Sequence, residues 1–140
     1  MIRSTAATSA WARPTCTFLA TALTVAISAT GIALANSTST QSGAYTAAQA
    51  DRGKLVYEKS CVNCHQVDFY RERLPRYENR TAGALFEAVS TTMPADNVGS
   101  LLTSEYIDVI AYIFSITGSP AGATELSTDN MDAVQISPVN

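Results

Sequence analysis

The residues with reactive side chains at a telling spacing are Cys61, Cys64 and His65, in the run Cys61-Val62-Asn63-Cys64-His65. The chain holds three Cys and one His, so this run takes its only imidazole and two of its three thiols. Thiols three positions apart share one helical turn, where each can add across one of the two vinyl groups of a haem. The adjacent imidazole is then carried to the iron from the same side. C-x-x-C-H is the attachment pattern of c-type haem. Two rival chemistries fail. A structural zinc site needs four N or S ligands, and only three stand here. A thioredoxin-type thiol pair belongs beside a βαβ pattern, whereas this chain reads as helices. The expectation is one covalently bound haem c, held by Cys61 and Cys64, with His65 as the proximal axial iron ligand.

The sixth ligand can be narrowed by elimination. A second His does not exist, which leaves Met93 and Met131, with Lys54 and Lys59 as outsiders. Met93 precedes Pro94, where a helix must stop because the residue before proline is pushed out of the α region. A rigid loop can present its thioether there. Met131 falls in a stretch that reads as loose, where holding a ligand would mean ordering many residues. The ordinary role of a lone Met is core packing; with a haem in place, Met93 is the expected distal axial ligand. His/Met ligation fills both axial sites and raises the reduction potential, which suits electron transfer rather than oxygen activation.

These ligands need elements to hold them. Residues 47–60 combine good helix formers with Leu55, Val56 and Tyr57 and predict a helix leading into Cys61. Residues 66–80 mix Arg71, Arg73, Arg76 and Arg80 with Pro75 and aromatics, and predict a loop with little regular structure. Residues 81–92 space Leu85, Phe86 and Val89 helically behind a Thr81 cap. Residues 104–117 give the strongest helix: Thr103 or Ser104 can cap it, and Glu105 and Asp108 suit its positive end. Its apolar residues lie nearly all round, so it must be buried on most sides. Gly118 and Pro120 stop it in the expected order.

The whole chain has 140 residues, a net charge of −3 and only 15% charged residues, against about 25% in a typical soluble domain. The length predicts one domain, and nothing suggests a basic surface for nucleic acid. Much of the charge deficit is regional. Residues 1–35 carry Arg3 and Arg13, no acid, an apolar middle and an Ala33-Leu34-Ala35 end, the pattern of a cleaved signal peptide. The alternative is an uncleaved anchor, but the apolar stretch is diluted by Thr and Ser and ends in a cleavage site. Cys16 leaves with this leader, and the net charge of the remainder falls to −5. Residues 36–46 are rich in Ser and Thr and read as a flexible lead-in. Residues 119–140 are polar, with three acids and no base, and read as a loose tail. What folds is then 47–118, a size at which a core alone is marginal. The haem would supply much of that core, and the haem-free chain would be largely unstructured.

Over 47–118 the chain resembles the class I cytochromes c. The resemblance is carried by the Cys61-to-His65 motif, Met93-Pro94, Gly53 and Tyr57 on the first helix, and Tyr112 on the last. It implies an all-α fold of three to four helices wrapped around one haem. The first and last helices would cross where Gly53, lacking a Cβ, lets Tyr112 approach. The run from Met93 to Phe114 is similar to the C-terminal part of cytochromes that accompany bacterial periplasmic dehydrogenases. The loop between His65 and Met93 is short and Arg-rich, without the Gly-Pro run common in the family. Its Pro75 could supply the carbonyl that takes the His65 Nδ1 proton, which would fix the ring.

The functional expectation is an exported, periplasmic electron carrier, not an enzyme. Its partners would be redox proteins, with a dehydrogenase as donor and an oxidase or another cytochrome as acceptor. No nucleic acid is expected, and no stable membrane insertion once the leader is cleaved. The alternative is a haem protein with an open sixth site, acting as a small-molecule sensor or catalyst. The four arginines of 66–80 would bind haem propionates or a partner, or else pair with Asp68, Glu72 and Glu78 as a solvated loop.

Overall fold

The computed structural model describes residues 38–137. The expected signal peptide, residues 1–35, lies outside the described residues. Four α-helices carry the fold: α1 (Ala47–Ser60), α2 (Val67–Arg73), α3 (Ala82–Ser90) and α4 (Thr103–Ile116). Two short strands, β1 (Thr38–Ser39) and β2 (Val134–Gln135), pair in parallel with Thr38 opposite Val134. The all-α expectation holds at this level, with four helices and little strand.

Helix starts follow local chemistry. The Thr46 side chain accepts the Gln49 N–H at 3.1 Å, and Thr81 accepts the Ala84 N–H at 3.1 Å, each satisfying a donor the helix leaves open. At α4 neither Thr103 nor Ser104 is the cap. Leu102 occupies that place, and Glu105 folds back to accept the Leu102 N–H at 2.8 Å. A carboxylate there also faces the positive end of the helix.

Helices α1 and α4 pack against each other. A Cβ on Gly53 would overlap the Asp108 carbonyl and come within 3.0 Å of the Tyr112 Cβ, so the close approach requires glycine. Tyr57 packs on Tyr112 beside this crossing, ring centroids 5.1 Å apart. As expected of its composition, α4 buries most of its residues, from Tyr106 to Phe114.

Three expectations need correction. Residues 119–137 are not loose: Leu126, Met131, Val134 and Ile136 all enter the core. The lead-in is not loose either, since Thr40, Ala44 and Tyr45 are buried. The physical reason is a set of ties from the folded body. The buried Gln49 amide donates to the Leu126 carbonyl at 2.8 Å and accepts its N–H at 2.9 Å. Arg52 holds both carboxylates of Asp108 and Glu125. Tyr45 Oη donates to the Ser119 carbonyl, and Ile136 exchanges backbone bonds with Asn79 and Arg80. The core is therefore larger than 47–118 can provide, which removes the reason for expecting the haem-free chain to be unstructured. Third, residues 66–80 are mostly helical, with α2 followed by a 3-10 turn at Leu74–Tyr77.

Candidate functional site

Cys61 ends α1, and the chain continues in a tight turn. The N–H groups of Cys61 and Val62 both reach the Tyr57 carbonyl, and those of Cys64 and His65 both reach the Cys61 carbonyl. The turn brings Cys61, Cys64 and His65 together on three closely spaced positions. Both cysteines are free thiols, Cys61 half-buried and Cys64 exposed. Burial pushes the Cys61 thiol pKa up, opposite to the depressed value that activates a nucleophilic thiol pair.

His65 is held by its surroundings more than by its own ring nitrogens. Its carbonyl accepts the hydroxyl of the buried Tyr57 at 2.6 Å. Its ring lies against Phe69, centroids 4.3 Å apart, and near Tyr70 at 5.9 Å. Among the described residues, its Nδ1 is the one buried side-chain polar atom with no hydrogen-bond partner. Pro75 does not serve it; the Pro75 carbonyl accepts the Glu78 N–H at 3.2 Å inside the 3-10 turn. A histidine kept for packing spends its ring nitrogens on neighbours, because an unpaired buried group costs about 1–3 kcal/mol. The two free thiols and the adjacent imidazole fit covalent haem attachment, while the Nδ1 bond expected to fix the ring is not made.

Met93 lies just beyond α3. Its N–H donates to the Val89 carbonyl at 2.9 Å, and its carbonyl accepts the Tyr106 hydroxyl at 2.7 Å. Its side chain is half-buried. Met131 packs in the core beside Leu126 and Val134, so order, not looseness, occupies it. Lys54 is committed to a surface pair with Glu58.

The arginines do not form a bare positive face. Arg71 pairs with Asp68 at 3.1 Å, both exposed. Arg73 lies over the Phe69 ring and Arg80 over the Tyr77 ring, each 5.2 Å from the centroid. Among the described residues, the pairs anticipated with Glu72 and Glu78 do not form. Phe69 thus touches both the His65 ring and the Arg73 guanidinium.

Sequence reasoning missed two roles: the hydroxyls of Tyr57 and Tyr106, each bonded to the carbonyl of a candidate axial ligand. No local spacing rule could have paired Tyr106 with a residue 13 positions earlier. Nor do two of the cavities mark the site. One of about 300 Å³ lies among Arg71, Leu74, Glu78 and Ile136, and another of about 490 Å³ among Ser42, Ala44, Thr124 and Val134; neither is lined by the candidate ligands. Among the described residues no group of three or more His, Cys, Asp or Glu could hold a metal ion. No helix among them is long and apolar enough to cross a membrane. Comparison with protein families, with curated proteins and with solved structures finds no match to this chain.

Proposed function

We propose that this chain is an exported c-type cytochrome that carries single electrons between redox proteins in the periplasm. The observation that carries the reading is the turn at Cys61, which presents two free thiols with the chain's only histidine directly after them. When bound, the haem supplies a one-electron Fe(III)/Fe(II) couple. The chain's own part is to hold and orient. Cys61 and Cys64 would anchor the group through thioethers, and His65, its backbone carbonyl held by Tyr57, would bind the iron. Met93, its backbone held between α3 and α4, would supply the second iron ligand. A dehydrogenase is the proposed electron donor, and an oxidase or another cytochrome the acceptor.

Expression in a bacterium that matures c-type haem tests this directly. The protein should stain for haem on a denaturing gel, and the double variant Cys61→Ser, Cys64→Ser should not. An unstained wild-type band would end the proposal.

A further inference from the structure

We infer that Tyr106 is the positioning residue for Met93, acting through the Met93 carbonyl rather than through the thioether. This rests on the haem reading above. Tyr106 is 4% exposed, on the first turns of α4, and its hydroxyl donates to the Met93 carbonyl at 2.7 Å. Phe86 of α3 packs edge-on against its ring, with centroids 6.4 Å apart and planes at 87°, so the hydroxyl is aimed by packing from two helices. The Met93 N–H is tied to α3 through the Val89 carbonyl at 2.9 Å. One residue is therefore gripped through its N–H by α3 and through its carbonyl by α4. The loop that follows closes over the same point: the Asn97 N–H reaches the Pro94 carbonyl at 3.0 Å, and the Gly99 N–H approaches the Met93 carbonyl at 3.5 Å.

A neutral thioether is a weak ligand, and its hold on iron depends on how little must be ordered each time it binds. A backbone fixed in advance removes that ordering cost. Without the Tyr106 hydroxyl, the Met93 carbonyl keeps only the long Gly99 contact, and the loop gains freedom to swing away. A lost hydrogen bond of this kind shifts such an equilibrium by about tenfold.

The test compares two tyrosines that make the same bond in different places. Tyr45 is also buried, and its hydroxyl donates to the Ser119 carbonyl at 2.6 Å, away from Met93. Tyr106→Phe and Tyr45→Phe each delete one oxygen and keep the ring. Both should retain covalent haem on a denaturing gel and lose comparable thermal stability. Tyr106→Phe alone should weaken the Met-to-Fe(III) charge-transfer band and raise the carbon monoxide affinity of the reduced protein about tenfold. Wild-type band and carbon monoxide affinity in Tyr106→Phe would overturn the inference, as would equal weakening in Tyr45→Phe. A wild-type protein without covalent haem would instead bring down the haem reading, and this inference with it.

Discussion

Replacing Leu126 by alanine probes whether residues 119–137 belong to the fold. Leu126 is 3% exposed and sits in the same cluster as Ile110, Phe114 and Met131. Truncating a buried Leu costs the transfer of its lost carbons plus the cavity left behind, about 2.7–5.0 kcal/mol across measured sites. The cost depends on how far the surroundings can close. Here the backbone of residue 126 is clamped on both sides by the Gln49 amide, at 2.8 and 2.9 Å, so the segment cannot easily sink into the gap. We expect a loss of about 3 kcal/mol, which in a domain of this size lowers Tm by roughly 12–20 °C. Urea denaturation followed by circular dichroism measures it. The control is Leu55→Ala, the same chemical change at a side chain 67% exposed, expected within about 0.5 kcal/mol of wild type. Equal, small effects at both positions would show that residues 119–137 do not pack as described.

Two other substitutions test the remaining joints. Gly53→Ala should destabilise the protein by about 2 kcal/mol in the same assay, although alanine favours an isolated helix by up to about 1 kcal/mol, because the new Cβ would force α1 off Asp108 and Tyr112. A gain in stability would show that the two helices are not in tight contact. Arg52→Gln strands Asp108, whose side chain is 13% exposed, and should cost about 1–2 kcal/mol given that Arg52 itself is half in water. The arginine's hydrogen bonds also hold the Glu125 carboxyl below its ordinary value of 4.5. A depressed folded-state value means this contribution is complete above the ordinary value and is lost as pH falls below it through the lower folded-state value. The wild type should therefore lose stability on acidification in that range, and Arg52→Gln should lose less; parallel pH profiles would refute the clamp.

The parts of the fold that were legible in the sequence are those that repeat. The run from Ala47 to Ser60, the spacing of Leu85, Phe86 and Val89, and the all-round apolar face of α4 each repeat a helical period, and the structure puts helices there. The tail repeats nothing. Leu126, Met131, Val134 and Ile136 stand singly among polar residues and reach the core from irregular backbone, so the composition of 119–137 conceals its burial. Residues 66–80 misled for a related reason: no side chain of α2 is buried, and a helix without an apolar face has no periodic signature. At the site, Cys61, Cys64 and His65 were legible because they fall within five residues of one another in the chain. Gln49, Tyr57 and Tyr106 were not, since what they bind is backbone, and a carbonyl leaves no mark in a sequence.

The parallel pairing of β1 with β2 has a mechanical side. Because both strands run the same way, the chain enters at one end of the pair and leaves at the other. A pull on the two ends would draw the strands past each other instead of peeling them apart, so their bonds would share the load. The Ser39 and Ser137 hydroxyls, 2.8 Å apart, and the Ser137 N–H on the Thr40 hydroxyl lie along the same seam and add to it. The closure that brings residues 38 and 134 together is thus also a shear lock, which ties the helices between them into one loop that tension cannot unzip bond by bond.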